Sequence, residues 1–193
     1  SAASDVYKRQ VLKIRSWHGF TSQFAYTWSH ALDEATEFRG VIPFDGTNLN
    51  QEYGNSDFDT RQNFTGYWTY EIPASSRGPK VLTHGWELSG LLSLHSGQPF
   101  NFPGPGASGS QRPGLNLIGD PFAGVSHTFN PATGEQWVNP AAFCVPSPTC
   151  LPDNPNGDLS RNEFYGPGFA DVDVSVIKNI PITERCKLQL RAE

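Results

Sequence analysis

Carboxylates, imidazoles and thiols are the groups here that could do chemistry, and their spacing decides which chemistry each suits. Asp171 and Asp173 in ADVDVSVIKN stand two residues apart. On a strand that spacing sets them on one face, about 7 Å from each other. Such a pair suits acid–base work on a glycoside or the coordination of a cation. The plainer reading takes precedence: a hydrated pair, or one neutralised by Lys187 and Arg191 on the following strand. Asp57 and Asp59 in SDFDTRQNF repeat the spacing beside Arg61 and read as a loop-to-strand boundary with a local ion pair. His18, His30, His84 and His95 are scattered without ligand spacing, so no metal site is expected. Cys144 and Cys150 in CVPSPTC suit either a small disulfide loop, worth about 2–3 kcal/mol, or two free loop thiols. Cys186 shares the parity of Leu188 and Leu190 and reads as a packing residue. No GxSxG, HExxH or GxxxxGK[ST] occurs, which removes the nucleophile-elbow, zincin and P-loop readings. No catalytic residue, cofactor ligand or metal ligand is therefore nominated, and the chain is expected not to be an enzyme.

Composition narrows the setting. The 193 residues carry a net charge of −5, with no basic footprint for nucleic acid. Gly and Pro are abundant, at 19 and 16 residues, and aromatics make up 12%, a balance that leans toward strands and turns. No run of about 18 apolar residues is present, so no transmembrane helix is expected. Membrane barrels escape that test, because their strands are short and only half apolar. The chain has no Met, and its opening SAASDVYKRQ has no clear relation to the residues after it. Residues 1–10 are expected to be a non-native scar, and residues 11–193 a fragment of a longer barrel.

Six strands can be read from period-2 patterning. The first is VLKIRSW, closed by a tight turn at His18-Gly19. FTSQFAYTWSHAL sets Phe20, Phe24, Tyr26, Trp28 and Leu32 against Thr21, Gln23, Ala25, Thr27 and Ser29. NFTGYWTYEI and GWELSGLLSLHSGQPF come next, the latter with Trp86, Leu88, Gly90, Leu92 and Leu94 on one parity. ADVDVSVIKN sets Val172, Val174 and Val176 against Asp171, Asp173 and Ser175. CKLQLRAE sets Leu188 and Leu190 against Lys187, Gln189 and Arg191.

The links between these strands run to about 2, nearly 30, about 12, about 70 and about 6 residues. Antiparallel succession gathers the short links at one end and the long ones, about 33–61 and 97–167, at the other. A compact soluble domain rarely carries a structureless link of about 70 residues. Outer-membrane barrels show this asymmetry as a rule, with short periplasmic turns and long outer loops. Ten to thirteen residues tilted about 45° also match an apolar band about 25 Å tall. Trp17, Trp86 and Phe100 lie near strand ends, where a membrane interface favours aromatic rings. A Lys or Arg facing lipid at mid-membrane costs roughly 2–4 kcal/mol. Slipping the last strand by one residue would turn both Lys187 and Arg191 that way, so Leu188 and Leu190 are expected outward. The fold expected is all-β: about six antiparallel strands of a large transmembrane β-barrel, with long outer loops.

Four segments in this order also carry a family resemblance: FAYTWSHALDE, GWELSGLLSLHSGQPF, WVNPAAF, and RNEFYGPGFADVDVSVIKNIPITERCKLQLRAE. Each resembles the barrel of TonB-dependent outer-membrane receptors, above all the group with an N-terminal carboxypeptidase-regulatory-like domain. The resemblance spans residues 11–193. It implies a barrel of about 22 strands around an N-terminal plug, importing a scarce nutrient of the siderophore, carbohydrate or peptide class. It implies outer-membrane lipid, the nutrient and the TonB complex as partners. TonB would be reached through an upstream segment, and the setting would be the bacterial outer membrane.

Within that frame Asp171, Asp173, Lys187, Gln189 and Arg191 are candidates to line an aqueous lumen. Phe102, Phe122, Phe129, Trp137, Phe143, Phe164 and Tyr165 in the longest loop suit stacking on a ligand ring, or pinning of the loop to itself. Two other classes stay open. One is a soluble all-β carbohydrate-binding sandwich, which would bury Trp28, Trp68 and Leu92 together. The other is a hydrolase fragment using Asp171 or Asp173.

Overall fold

A computed structural model describes residues 4–34, 47–101, 114–126, 131, 134–150, 157–183 and 186–193. Among these, eleven strands are β1 (Ser4–Trp17), β2 (Phe20–Asp33), β3 (Gly54–Asn55), β4 (Gln62–Glu71), β5 (Trp86–His95), β6 (Pro99–Phe100), β7 (Asn116–Leu117), β8 (Phe143–Cys144), β9 (Phe164–Tyr165), β10 (Phe169–Pro181) and β11 (Lys187–Ala192). The six long strands form one open sheet in the order β1-β2-β4-β5-β10-β11, with β3 paired to β2. Every long strand expected from the sequence is there. The chain divides into two compact units. One holds most of this sheet (Tyr7–Ser29, Arg61–Ser96 and Gly168–Glu193), and the other holds the long links (Ser1–Val6, His30–Thr60 and Gly97–Pro167).

Antiparallel pairing fixes the faces of the sheet. β2 pairs β4 with Phe20 opposite Tyr70, Ser22 opposite Trp68, Phe24 opposite Gly66 and Tyr26 opposite Phe64. β4 pairs β5 with Tyr70 opposite Leu88, Gly66 opposite Leu92 and Phe64 opposite Leu94. β10 continues the same face with Val172, Val174 and Val176 opposite Leu92, Gly90 and Leu88. β11 adds Leu188 and Leu190. From Phe20 to Trp28 this apolar band runs about 26 Å along the strand at about 3.3 Å per residue, which the tilt of a barrel strand, about 45°, turns into about 18 Å of height.

The band is uncovered. Val172 is 61% exposed and Leu190 53%, while Trp28, Trp68 and Leu92 stay half-exposed. None of the band's large apolar side chains is buried, so the mutual burial that a sandwich requires is absent among the described residues. The opposite face is mostly polar, with Thr65, Thr69, Ser89, Asp171, Asp173 and Arg191 among its residues, and it also carries Tyr67, Leu91 and Ile177.

Two glycines shape the band through what they lack. A Cβ on Gly66 would stand 2.3 Å from the Phe24 ring, and one on Gly90 would stand 2.6 Å from the Trp68 indole. The rings lie flat over the bare backbone of the neighbouring strand, as aromatic residues do over sheet glycines. Phe24 stacks on Phe64 at 5.8 Å and Phe20 on Trp68 at 6.4 Å. Ser22, between these rings, is 2% exposed, and its hydroxyl has no hydrogen-bond partner.

Three boundaries differ from the sequence reading. β1 starts at Ser4 instead of Val11, because it hydrogen-bonds along a β2 that is itself 14 residues long. Residues 4–10 are thus strand. The turn between them has His18 at φ 50° and Gly19 at φ 83°, the pair of positive angles that a two-residue hairpin needs. β5 ends at His95, not Phe100. Gly97 lies so close to Gly166 that a Cβ would overlap its carbonyl, and Pro99–Phe100 pairs instead with Phe164–Tyr165. Phe100 therefore packs on Phe164, outside the long strand. Finally, the link between β4 and β5 contains a helical turn, α1 (Lys80–Thr83), that no periodicity announces.

Replacing Gly90 by Val should force the Trp68 ring off the sheet. Overpacking of this kind costs about 1–3 kcal/mol. The unfolding temperature of the full-length protein in detergent should fall, whereas Ser22→Ala, which removes an unpartnered hydroxyl, should leave it unchanged or raise it.

Candidate functional site

Two regions bring functional side chains together, one within each unit. On the polar face of the sheet, an open depression of about 620 Å³ is lined by Tyr67, Thr69, Ser89, Asp173, Ser175 and Arg191, among others. Arg191 donates from Nη2 to Ser175 Oγ at 3.1 Å and pairs with Glu193. Gln189 donates to Asn179 Oδ1 at 3.1 Å across the β10–β11 pair.

Of the two plain readings of Asp171 and Asp173, hydrated or paired with Lys187 and Arg191, the pairing does not form. The antiparallel register sets Lys187 opposite Pro181 and Arg191 opposite Ile177, and the last partners are Val176 and Ala192. Both aspartates lie beyond the paired stretch, where each step along a strand adds about 3.3 Å. Across β5 they face Ser93 and Leu91. Among the described residues neither has an ion-pair partner. The face thus presents two exposed carboxylates on one strand and a guanidinium on the next.

The second region is a buried polar knot in the unit of long links. Arg161 is fully buried. Its Nε donates to the Glu52 carbonyl at 3.1 Å, and Nη2 donates to both the carbonyl and the carboxylate of Asp33. Asp57 lies 3.9 Å from Nη1. Asn162 adopts φ 55°, a left-handed backbone that asparagine tolerates. It exchanges side-chain amide bonds with Asn55: each Nδ2 donates to the other's main-chain carbonyl at 2.8 Å. Asp59 accepts from Ala31 N and from the Tyr165 hydroxyl, both at 2.8 Å. His30 shares a 3.1 Å bond with Asn55 Oδ1. A Cβ on Gly54 would stand 2.6 Å from the Arg161 carbonyl, so the two segments meet backbone to backbone.

Asp57 and Asp59 therefore have partners over a hundred residues downstream that the neighbouring Arg61 does not suggest. Sequence reading misses Arg161, Asn162 and Glu52 altogether. Burial of a charged side chain in a Gly- and Pro-rich loop leaves no periodic trace.

The loop aromatics divide. Phe164 is buried, with Phe100 at 6.3 Å, Phe122 at 6.0 Å and Phe143 at 5.7 Å, the last two edge to face. This geometry pins the loop to itself through Phe143 and Phe164. Trp137 and Tyr165 are half-exposed, and Phe102 and Phe129 lie outside the described residues. WVNPAAF forms a local device: Asn139 accepts from Ala141 N at 3.1 Å with Pro140 behind it, starting a short 3-10 turn that buries Ala142. Phe143–Cys144 then pairs with Asn116–Leu117. Cys144 and Cys150 are joined by a disulfide, their Cα atoms 6.2 Å apart. Cys186 is a free, exposed thiol on the apolar parity. Among the described residues no group of three His, Cys, Asp or Glu side chains is placed to hold a metal.

Removing a buried guanidinium strands its carboxylate and carbonyl partners, at about 3–5 kcal/mol. Arg161→Ala should raise hydrogen exchange across residues 47–60 and 157–165 of the full-length protein while β4 and β5 stay protected. Arg161→Lys should rescue little of this, since an ammonium lacks the planar fork. Cys144→Ser should cost the same loop about 2 kcal/mol, measured as faster proteolysis between β7 and β9.

No curated protein and no solved structure matches the chain. One protein family does, described as Outer membrane beta barrel domain, over residues 10–193. With an uncovered apolar band and a polar face behind it, the chain belongs to this outer-membrane β-barrel family, and its place is the outer membrane.

Proposed function

We propose that the chain forms part of the barrel of a TonB-dependent receptor that takes up a scarce nutrient and performs no catalysis. The observation that carries this reading is the division of the links. Short turns close one end of the strands, while His30–Thr60 and Gly97–Pro167 gather into a compact unit of their own. A simple pore needs an open mouth, whereas a receptor needs built loops that meet a ligand before it enters. The knot at Arg161 and the ring cluster at Phe164 make these links built structures. The resemblance of FAYTWSHALDE, WVNPAAF and the segment from Arg161 onward to the carboxypeptidase-regulatory-like group supports the same reading.

In this scheme Asp171, Asp173, Lys187, Gln189 and Arg191 line the aqueous lumen, and exposed parts of Trp137 and Tyr165 meet the nutrient, a siderophore, carbohydrate or peptide. Energy arrives from TonB through a segment upstream of this barrel region. The test is uptake by cells carrying or lacking the full-length gene, with labelled ferric siderophores, oligosaccharides and peptides. Uptake of one class should need the gene and stop when TonB is deleted or the proton gradient is collapsed. Gene-dependent uptake that survives both treatments would replace the receptor by a passive pore.

A further inference from the structure

Between Thr47 and Thr60 the first long link is tied down from within and left bare outside. Asp57 and Asp59 turn inward, the one to Asn162 and Arg161, the other to Ala31 N and the Tyr165 hydroxyl. Ser56 is buried, donates its main-chain N–H to Ala31 O at 3.0 Å, and accepts from Asp59 N at 2.9 Å. Phe58 stands between these anchors and is 74% exposed, the most of any large apolar residue among those described. The backbone that carries its ring is therefore fixed on both sides.

The same segment presents a second ring and two amides. Tyr53 is 41% exposed and directly follows the 3-10 turn Leu49–Glu52, whose end is held by Arg161 at the Glu52 carbonyl. Asn48 occupies the N-cap position of that turn but makes no capping bond, and both it and Asn50 are exposed. No Lys, Arg or His occurs between Thr47 and Thr60. Of the three acids, Glu52 and Asp59 are buried and Asp57 is bonded to Asn162. The outer surface of the segment thus offers rings and amides, while its acids are buried or bonded.

Such a surface discriminates among ligand classes. Ferric catecholate complexes are anions, and recognising one calls for Arg or Lys, which this segment lacks. An extended peptide binds by main-chain ladders along a strand edge, whereas β3 has two residues and is already paired to β2. A neutral sugar asks for the two things present. One is an aromatic face on which the C–H side of a pyranose can stack; the other is planar amides that donate to and accept from its hydroxyls. We propose that Phe58 and Tyr53, with Asn48 and Asn50, form a carbohydrate-binding surface on the outer links, and that the nutrient is a neutral oligosaccharide. This inference names the substrate class of the receptor reading and rests on it. It also gives the inward bonds of Asp57 and Asp59 a purpose, since a ring ordered beforehand loses little freedom when a ligand stacks on it.

The test is calorimetric titration of the full-length protein in detergent with maltohexaose, cellohexaose, xylohexaose and chitohexaose. Hexagalacturonate and the ferric complex of 2,3-dihydroxybenzoate serve as anionic comparisons. At least one neutral hexasaccharide should bind, and the anions should not. Phe58→Ala should weaken that binding about tenfold or more, and Phe58→Tyr, which keeps the ring face, should hold it within about twofold of the wild type. Because Phe58 is bare in the free protein, its Ala variant should unfold at the wild-type temperature, which separates a lost contact from a lost fold. Binding of none of the four sugars, tighter binding of either anion, or an unchanged affinity in Phe58→Ala would overturn the proposal. Binding in detergent needs no TonB, so the two readings fail separately. TonB-dependent uptake of a siderophore or peptide with no sugar bound would remove the sugar and keep the receptor. A bound sugar whose uptake ignores TonB would remove the receptor and keep the surface.

Discussion

Inside a hydrocarbon layer no water stands ready to replace a missing hydrogen bond, and each unpaired peptide group costs several kcal/mol. The ladders from β1 to β11 answer that constraint, and the rest of the molecule depends on it. Because side chains alternate along a ladder, pairing the backbone also commits every residue to one face. Phe64 cannot point outward unless Thr65 points inward. The single register that satisfies the peptide groups is therefore the one that sorts most leucine, valine and ring side chains from the aspartates and Arg191, with Tyr67, Leu91 and Ile177 left on the polar side. Lys178 falls on the apolar side, and it sits at the strand end, where the carbonyls of the α1 turn receive it.

The loops obey a different rule. With no ladder long enough to organise them, they use side chains to pair backbone groups. Arg161 serves two carbonyls, Asn55 and Asn162 serve one each, and Asp59 serves an amide. Such bonds are strong only when water is excluded and every member is satisfied. Burial of Glu52, Asp59, Arg161 and Asn162 meets the first condition. The ring cluster at Phe164 and the Cys144–Cys150 bridge give the remaining link its own anchor points.

What can be read from the sequence divides along the same line. Period-2 alternation encodes face and register locally, so Val172, Val174 and Val176 declare their side within five residues of chain. Link lengths, too, show that the turns and loops gather at opposite ends. Nothing local encodes Arg161, whose partners Asp33 and Glu52 lie 128 and 109 residues away. The same distance hides the true partners of Asp57 and Asp59, for which Arg61 is the only nearby cation. The start of β1 escapes pattern reading because SDVYKRQ is polar and lacks an oily parity. Its strand state is set by the length of β2, a property of the neighbour. α1 is invisible because four residues are too few for a helical period.

The reciprocal amides of Asn55 and Asn162 span 107 positions. A contact of such sequence separation has a high entropic toll and belongs to the late steps of folding. β2 and β4 can pair as soon as both are synthesised, yet the first loop cannot lock until the last third of this region has arrived. During assembly the knot at Arg161 would thus be the final part to set, leaving the long links slack while the sheet is already zipped.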